Sequence, residues 1–279
     1  MSNYQLPITK IVIGILIMGV LGFGVWGLGF SRLREDLTWQ RIRERGVWTV
    51  ATDASYPPFA AVDGDGNLFG FDIDLAEEIG RRLGVKTEFE NIAYDALLST
   101  LTSGRDDAVL SAFVPQPARR REAAYTRSYF VGGVVAVIRR EDGEPIANDP
   151  AAWAAEKTLA VEYGAGGDAL ARQWARRVTG IQILPKPTSV EALQAVEDQN
   201  ADAALVDAIS AYDFLRGHMA LTLAGPPLEP EPYVIAVNAN SRELLRVLEQ
   251  TLAEMEADGT LAELKVKWFG EAIKVTSDK

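Results

Sequence analysis

The chain has 279 residues, with 28 Lys plus Arg against 39 Asp plus Glu, one His and no Cys. A net charge of −11 argues against the basic footprint of a nucleic-acid binder. The missing Cys excludes disulfides, thiol catalysis, a Cys/His zinc site and a lipidated N-terminal cysteine, and a Ser-His-Asp triad would have to use His218.

Residues 11–30 carry no charge. As a helix at ~1.5 Å per residue they would cross ~30 Å of hydrocarbon. The run is long for a signal peptide, and no Ala precedes Ala51 to form a small-residue cleavage site. Residues 1–30 are therefore expected to be an uncleaved transmembrane helix that anchors the chain in the cell membrane. Charges on the two flanks do not settle its orientation. Residues 31–45 read as a polar helical spacer, solvated on all sides.

Strand and helix patterns then alternate. Val47–Thr52 is β-branched and reads as a strand. Asp63-Gly-Asp-Gly-Asn67 has acidic spacing like a calcium loop. Leu68 stands where such a loop needs Gly and Asp74 where it needs Glu, so a hairpin turn is expected and no metal. In 71–83, Leu75, Ile79 and Leu83 recur at helical spacing, and Asp72 and Asp74 favour the N-terminal dipole. Strands follow at 86–90, 107–112, 134–139, 159–163, 181–184, 203–206 and 234–237, with helices at 94–101, 167–178, 188–198, 208–215 and 240–259 and a last one from Thr260. Such alternation predicts an α/β fold of parallel sheets covered by helices. Residues 98–112 align with 193–207 at an offset of 95; both end in an Asp-Ala-hydrophobic strand, Asp107-Ala-Val-Leu110 and Asp202-Ala-Ala-Leu205. Two lobes of similar plan are expected.

Open α/β sheets bind ligands beyond the carboxyl ends of their strands. Asp53, Tyr56 and Phe59 follow the first strand, where a carboxylate beside aromatic rings suits a cation, or where the same residues simply cap and pack. Arg119-Arg120-Arg121 follows the third strand: a solvated face, or one guanidinium placed to clamp a carboxylate. Gly164-Ala165-Gly166-Gly167 opens a helix and offers backbone N–H groups to an anion; Asp207 ends a strand. His218 reads as surface.

Taken in order, Gly46–Phe59, Gly70–Ile79, Arg82–Val85, Pro117–Tyr129, Asn200–Asp207, Ala257–Thr260 and Lys267–Gly270 resemble the bacterial polar-amino-acid solute-binding proteins, family 3, the receptor components of ABC importers. The resemblance spans about residues 45–270. It implies a periplasmic-binding-protein-like (type II) two-lobed clamshell, with lobe 1 at 45–131 plus 234–279 and lobe 2 at 132–233. It implies that Arg119 grips a ligand α-carboxylate, that Asp207 takes the α-ammonium, that Tyr56 and Tyr94 form facing aromatic shelves and that Asp53 senses the ligand side chain. Phe59, Ala112, Val114, Gly164 and Ala165 complete the implied site. Val114 stands where the family usually has Thr or Ser, Ala165 where it has Thr, and Ala112 where it often has Gly or Ser. Two hydroxyl donors of order ~1 kcal/mol each are therefore missing.

The implied function is an extracytoplasmic receptor that closes on an amino acid or a related amine or carboxylate and delivers it to a permease, without a cofactor, catalysis or nucleic acid. Two alternatives share the fold: a cleft enzyme such as a cyclohexadienyl dehydratase, and a ligand-sensing partner of a signalling receptor. The resemblance also places the domain outside the cell, which flanking charge does not.

Overall fold

The computed structural model describes residues 36–274 apart from 144, 147 and 148. The expected membrane anchor lies outside the described residues; among those described, no helix is long and apolar enough to cross a membrane. The described residues from Thr38 onward form one compact unit.

One nine-stranded sheet runs through this unit. Its strands are β1 (Val47–Thr52), β4 (Lys86–Asn91), β5 (Ala108–Val109), β6 (Ala123–Arg139), β7 (Thr158–Glu162), β8 (Gln182–Lys186), β9 (Ala203–Asp207), β10 (Leu221–Leu223) and β11 (Glu229–Asn238). The order is β4-β1-β5-β11-β6-β9-β7-β8, with β10 beside β6. β2 (Ala61–Val62) and β3 (Leu68–Phe69) make a separate hairpin around the Asp63–Asn67 turn. The Asp63 carboxylate closes that turn by accepting the N–H groups of Asp65 at 2.9 Å and Asn67 at 2.8 Å.

The sheet is mixed, which corrects the expectation of parallel sheets. β4-β1-β5 and β9-β7-β8 are parallel groups, while β6 and β11 run antiparallel between them. Only the last third of β6 reads as a strand in the sequence. Gly132 and Gly133 interrupt its pattern, and Gly133 takes φ 100° where a Cβ would meet the Glu229 carbonyl oxygen at 1.9 Å. The partner strand β11 shifts register around Val234. Glycine pair and bulge sit side by side where the two parallel groups join.

The internal echo is structural. Asp107 and Thr49 exchange backbone and side-chain bonds: the Asp107 N–H donates to Thr49 O at 3.0 Å, and the Thr49 N–H donates to Asp107 Oδ2 at 2.8 Å. Ninety-five residues on, Asp202 and Thr158 repeat the pair at 2.9 and 2.7 Å. Gly104 and Gln199, also 95 apart, both take left-handed φ at the preceding helix ends. Each Asp thus pins the start of one strand to its parallel neighbour.

Helices cover both faces. α1 (Thr38–Arg45) comes first, then α2 (Phe71–Leu83), α3 (Leu97–Ser103), the short α4 (Pro150–Trp153), α5 (Gly166–Ala175), α6 (Ser189–Glu197), α7 (Ala208–Leu215), α8 (Arg242–Ala257) and α9 (Thr260–Phe269). The segment read as a solvated spacer contributes α1 to the fold: Ile42 is fully buried and Trp39 packs on the core. A single apolar residue in a turn of Arg and Glu is too weak a period to announce a docked helix. The Thr188 hydroxyl accepts the Glu191 N–H at 3.2 Å, the expected cap of α6. At the centre of the main core Phe59, Phe71, Phe130, Tyr212, Tyr233 and Phe269 pack ring on ring.

Candidate ligand-binding cleft

Strand ends, a helix start and the crossing strand β11 meet around a cavity of about 360 Å³, lined by Asp53, Ser55, Tyr56, Tyr94, Ser111, Ala112, Val114, Glu231 and Tyr233. That volume suits an amino-acid-sized molecule. Five of the expected residues are brought together here: Asp53, Tyr56, Tyr94, Ala112 and Val114.

Asp53 follows β1 and organises two loops. Its Oδ1 accepts the Ser55 N–H at 3.1 Å and its Oδ2 the Tyr94 N–H at 2.8 Å, while its own N–H donates to Ser111 Oγ at 2.9 Å. Tyr94 thereby takes a fixed place, stacked on Phe113 with ring centroids 5.6 Å apart. Tyr56 lies stacked on Phe59 at 5.5 Å and leaves its outer face open. Phe59 itself is 1% exposed, so it supports the shelf from behind and does not line the cavity.

Ala112 has φ 42°, a left-handed conformation that costs an L-residue about 1 kcal/mol. Its N–H donates to Asp72 Oδ2 at 2.6 Å. The neighbouring Val114 N–H approaches the Tyr94 hydroxyl at 3.5 Å. The loop after β5 is thus tied to both walls.

Arg119 does not line the cavity. It sits in the 3₁₀ turn Pro117–Arg119, and its guanidinium is engaged by Glu122 at 2.5 Å. The hydrogen bond it donates to Glu122 raises its pKa further and leaves it fully charged. Asp207 ends β9 and caps α7, its Oδ1 accepting the Ser210 N–H at 2.9 Å; Ser189 Oγ lies 3.3 Å from its Oδ2 and 2.6 Å from Glu162. Gly164 and Ala165 form the turn into α5 with their N–H groups directed inward: Gly164 donates to Asp168 at 3.0 Å and Ala165 to the Glu162 carbonyl at 3.1 Å. The expected anion nest is left with the first N–H groups of the helix itself.

Glu231 and Tyr233 were not anticipated. Both lie on β11, two residues apart and hence on one face, but Pro230 and Pro232 flank Glu231 and mask the strand pattern. Tyr233 reaches Glu231 with its hydroxyl at 3.4 Å. Burial pushes the Tyr56 phenol upward, and the negative charges of Asp207 and Glu231 add to the effect; burial likewise raises Tyr233. These carboxylates and phenols therefore act on one another across the cleft. His218 is half-buried: its ring stacks on Phe214, and Nδ1 lies 2.8 Å from Glu197. Among the described residues no cluster of His, Cys, Asp or Glu is arranged to hold a metal ion.

Comparison with known proteins supplies the family. Residues 48–271 match the family model for bacterial extracellular solute-binding proteins, family 3, and the chain belongs to that family. It is 26% identical to the L-cystine-binding protein TcyJ of Escherichia coli K12 over 232 residues, 82% of this chain and 85% of that protein. Its fold matches the unliganded open L-cystine solute receptor of Neisseria gonorrhoeae with a TM-score of 0.72 at 27% identity, covering 85% of this chain and 98% of that one. It also matches an ancestral cyclohexadienyl dehydratase, AncCDT-3, with a TM-score of 0.66 at 26% identity, over 87% and 98% of the two chains. The expected α/β periplasmic-binding-protein-like fold is therefore present.

Proposed function

We propose that the protein is the extracytoplasmic receptor of an amino-acid ABC importer, tethered by its N-terminal helix, and that it closes around a small zwitterion. The observation that carries this reading is the cleft itself: two tyrosine shelves, a left-handed backbone turn and the carboxylates of Asp53 and Glu231 around a cavity of amino-acid size. Family membership and the binding proteins named among its relatives support it. The charge-free run of residues 11–30 supports the tether.

In this reading Asp207 receives the ligand ammonium and Arg119 leaves Glu122 to bind the carboxylate. A zwitterion removed from water needs a paired charge at each end. Lobe 1 (45–131 plus 234–279) supplies Arg119, Asp53, Tyr56 and Tyr94, and lobe 2 (132–233) supplies Asp207, Gly164 and Ala165. A ligand held from both sides favours the closed arrangement. Glu231, which lines the cavity, adds negative charge toward the ligand side chain and makes an acidic ligand unfavourable.

Calorimetric titration of the full chain with the twenty amino acids, prephenate and arogenate tests the reading. Saturable binding of an amino acid is expected, lost about tenfold or more in Arg119→Ala. Turnover of prephenate or arogenate, or unchanged affinity in Arg119→Ala, contradicts it.

A further inference from the structure

Asp72 lies behind the cavity wall, in the first turn of α2, and is 1% exposed. Acids in a first helical turn ordinarily face water and the helix dipole. Asp74 behaves closer to that way, with Lys267 Nζ and Trp268 Nε1 both at 2.6 Å. Asp72 instead points into the fold. Its Oδ2 accepts the Ala112 N–H at 2.6 Å, and its Oδ1 has no hydrogen-bond partner.

Among the described residues no cation balances it. The groups that face Asp72 are the Ala112 N–H and the phenol of Tyr129 on β6, which is itself 1% exposed. The Tyr129 phenol in turn faces Tyr233 of β11. Among the other charged groups on elements packed against α2, Lys267 of α9 is paired with Asp74, and Arg82 at the far end of the helix is paired with Glu78 and Asp258. A buried, unbalanced carboxyl group with one strong hydrogen bond to a strained backbone is costly, so its bond to Ala112 is the feature to explain.

We propose that Asp72 is a positioning residue of the cleft: its carboxylate holds the left-handed Ala112 turn against the cavity, and protonation of that carboxylate loosens the turn and weakens ligand binding. The proposal rests on the reading of the cleft as a binding site. A charge-assisted hydrogen bond is about twice as strong as a neutral one, so the ionised acid holds the strained turn and the neutral acid holds it less well. Burial raises the Asp72 carboxyl to about 7, with the Ala112 N–H and Tyr129 pulling the other way, so the change falls near neutrality.

The test uses the full chain labelled with 15N-alanine, with the Ala112 amide assigned by its loss in Ala112→Gly. Without ligand, the Ala112 amide shift is expected to titrate once with a midpoint near 7, and not to titrate in Asp72→Asn, whose side-chain carbonyl still accepts the bond. Affinity is then measured at pH 6 and pH 8 for the amino acid that binds in the calorimetric titration. The wild type is expected to bind about fivefold more weakly at pH 6, and Asp72→Asn to vary less than about twofold. A purely structural role would lower the melting temperature of Asp72→Asn and leave the pH profile of binding unchanged. The proposal is overturned by a wild-type amide that does not titrate, by a titration that survives in Asp72→Asn, or by identical pH profiles of affinity. If no amino acid binds, it is the proposed function that fails, and the unliganded amide titration decides the role of Asp72.

Discussion

Asp72 and Glu78 lie six positions apart on α2, and their environments shift them in opposite directions. Burial raises Asp72 to about 7, so its contribution to stability is greatest below the unfolded carboxyl pKa near 4 and is lost as pH rises through 7. The melting temperature of wild type is expected to fall relative to Asp72→Asn between pH 4 and pH 7 and then to run parallel with it. Glu78 is drawn down to about 2, first by the Arg81 hydrogen bond and further by Arg82. Its stabilisation is present above the unfolded value and is lost as pH falls toward 2. Glu78→Gln is expected to cost on the order of 1 kcal/mol at pH 7, and the difference from wild type to close in acid, as read by urea unfolding at the two pH values. Part of the site was legible at this scale. Asp53, Tyr56 and Tyr94 stand directly after strand-like or turn-like segments, where ligands meet open sheets. Glu231 was not legible, because the prolines on either side disguise its strand. Phe59 reads like Tyr56 in sequence, and only its burial among five other rings separates support from contact.

Among the elements, α1 and the two crossing strands carry the most information. Ile42 is the only fully buried residue of α1, and it joins that helix to the main core. Ile42→Ala is expected to destabilise the fold by about 2–4 kcal/mol in urea unfolding of the full chain; a change within ~0.5 kcal/mol would return 38–45 to the status of a spacer. The helices with a clear apolar period, α2 and α8, were readable because three or more core positions recur on one face. α1 has one, so its docking was not. The crossing strands were hidden for another reason. Residues 123–133 alternate weakly and end in Gly132-Gly133, yet these glycines are required where β6 passes β11: a Cβ on Gly132 would meet the Tyr233 hydroxyl at 2.8 Å. Gly133→Ala is expected to lower both the melting temperature and ligand affinity, since its Cβ has no room beside Glu229 and its φ is left-handed.

For the whole molecule, the Asp-to-strand bonds at Asp107 and Asp202 repeat one local plan at two places in a single mixed sheet. The sequence repeat at an offset of 95 makes that local plan legible. The antiparallel pair β6 and β11 between the two parallel groups was not legible, because it is made of the least regular strands. The proposed function requires the two lobes to close on an amino acid that bridges Arg119 and Asp207. Small-angle scattering of the full chain, with and without a saturating amino acid identified by calorimetry, tests it most directly. A smaller radius of gyration with ligand is expected, and no such decrease in Arg119→Ala at the same ligand concentration. An unchanged radius at proven saturation of the wild type would contradict it.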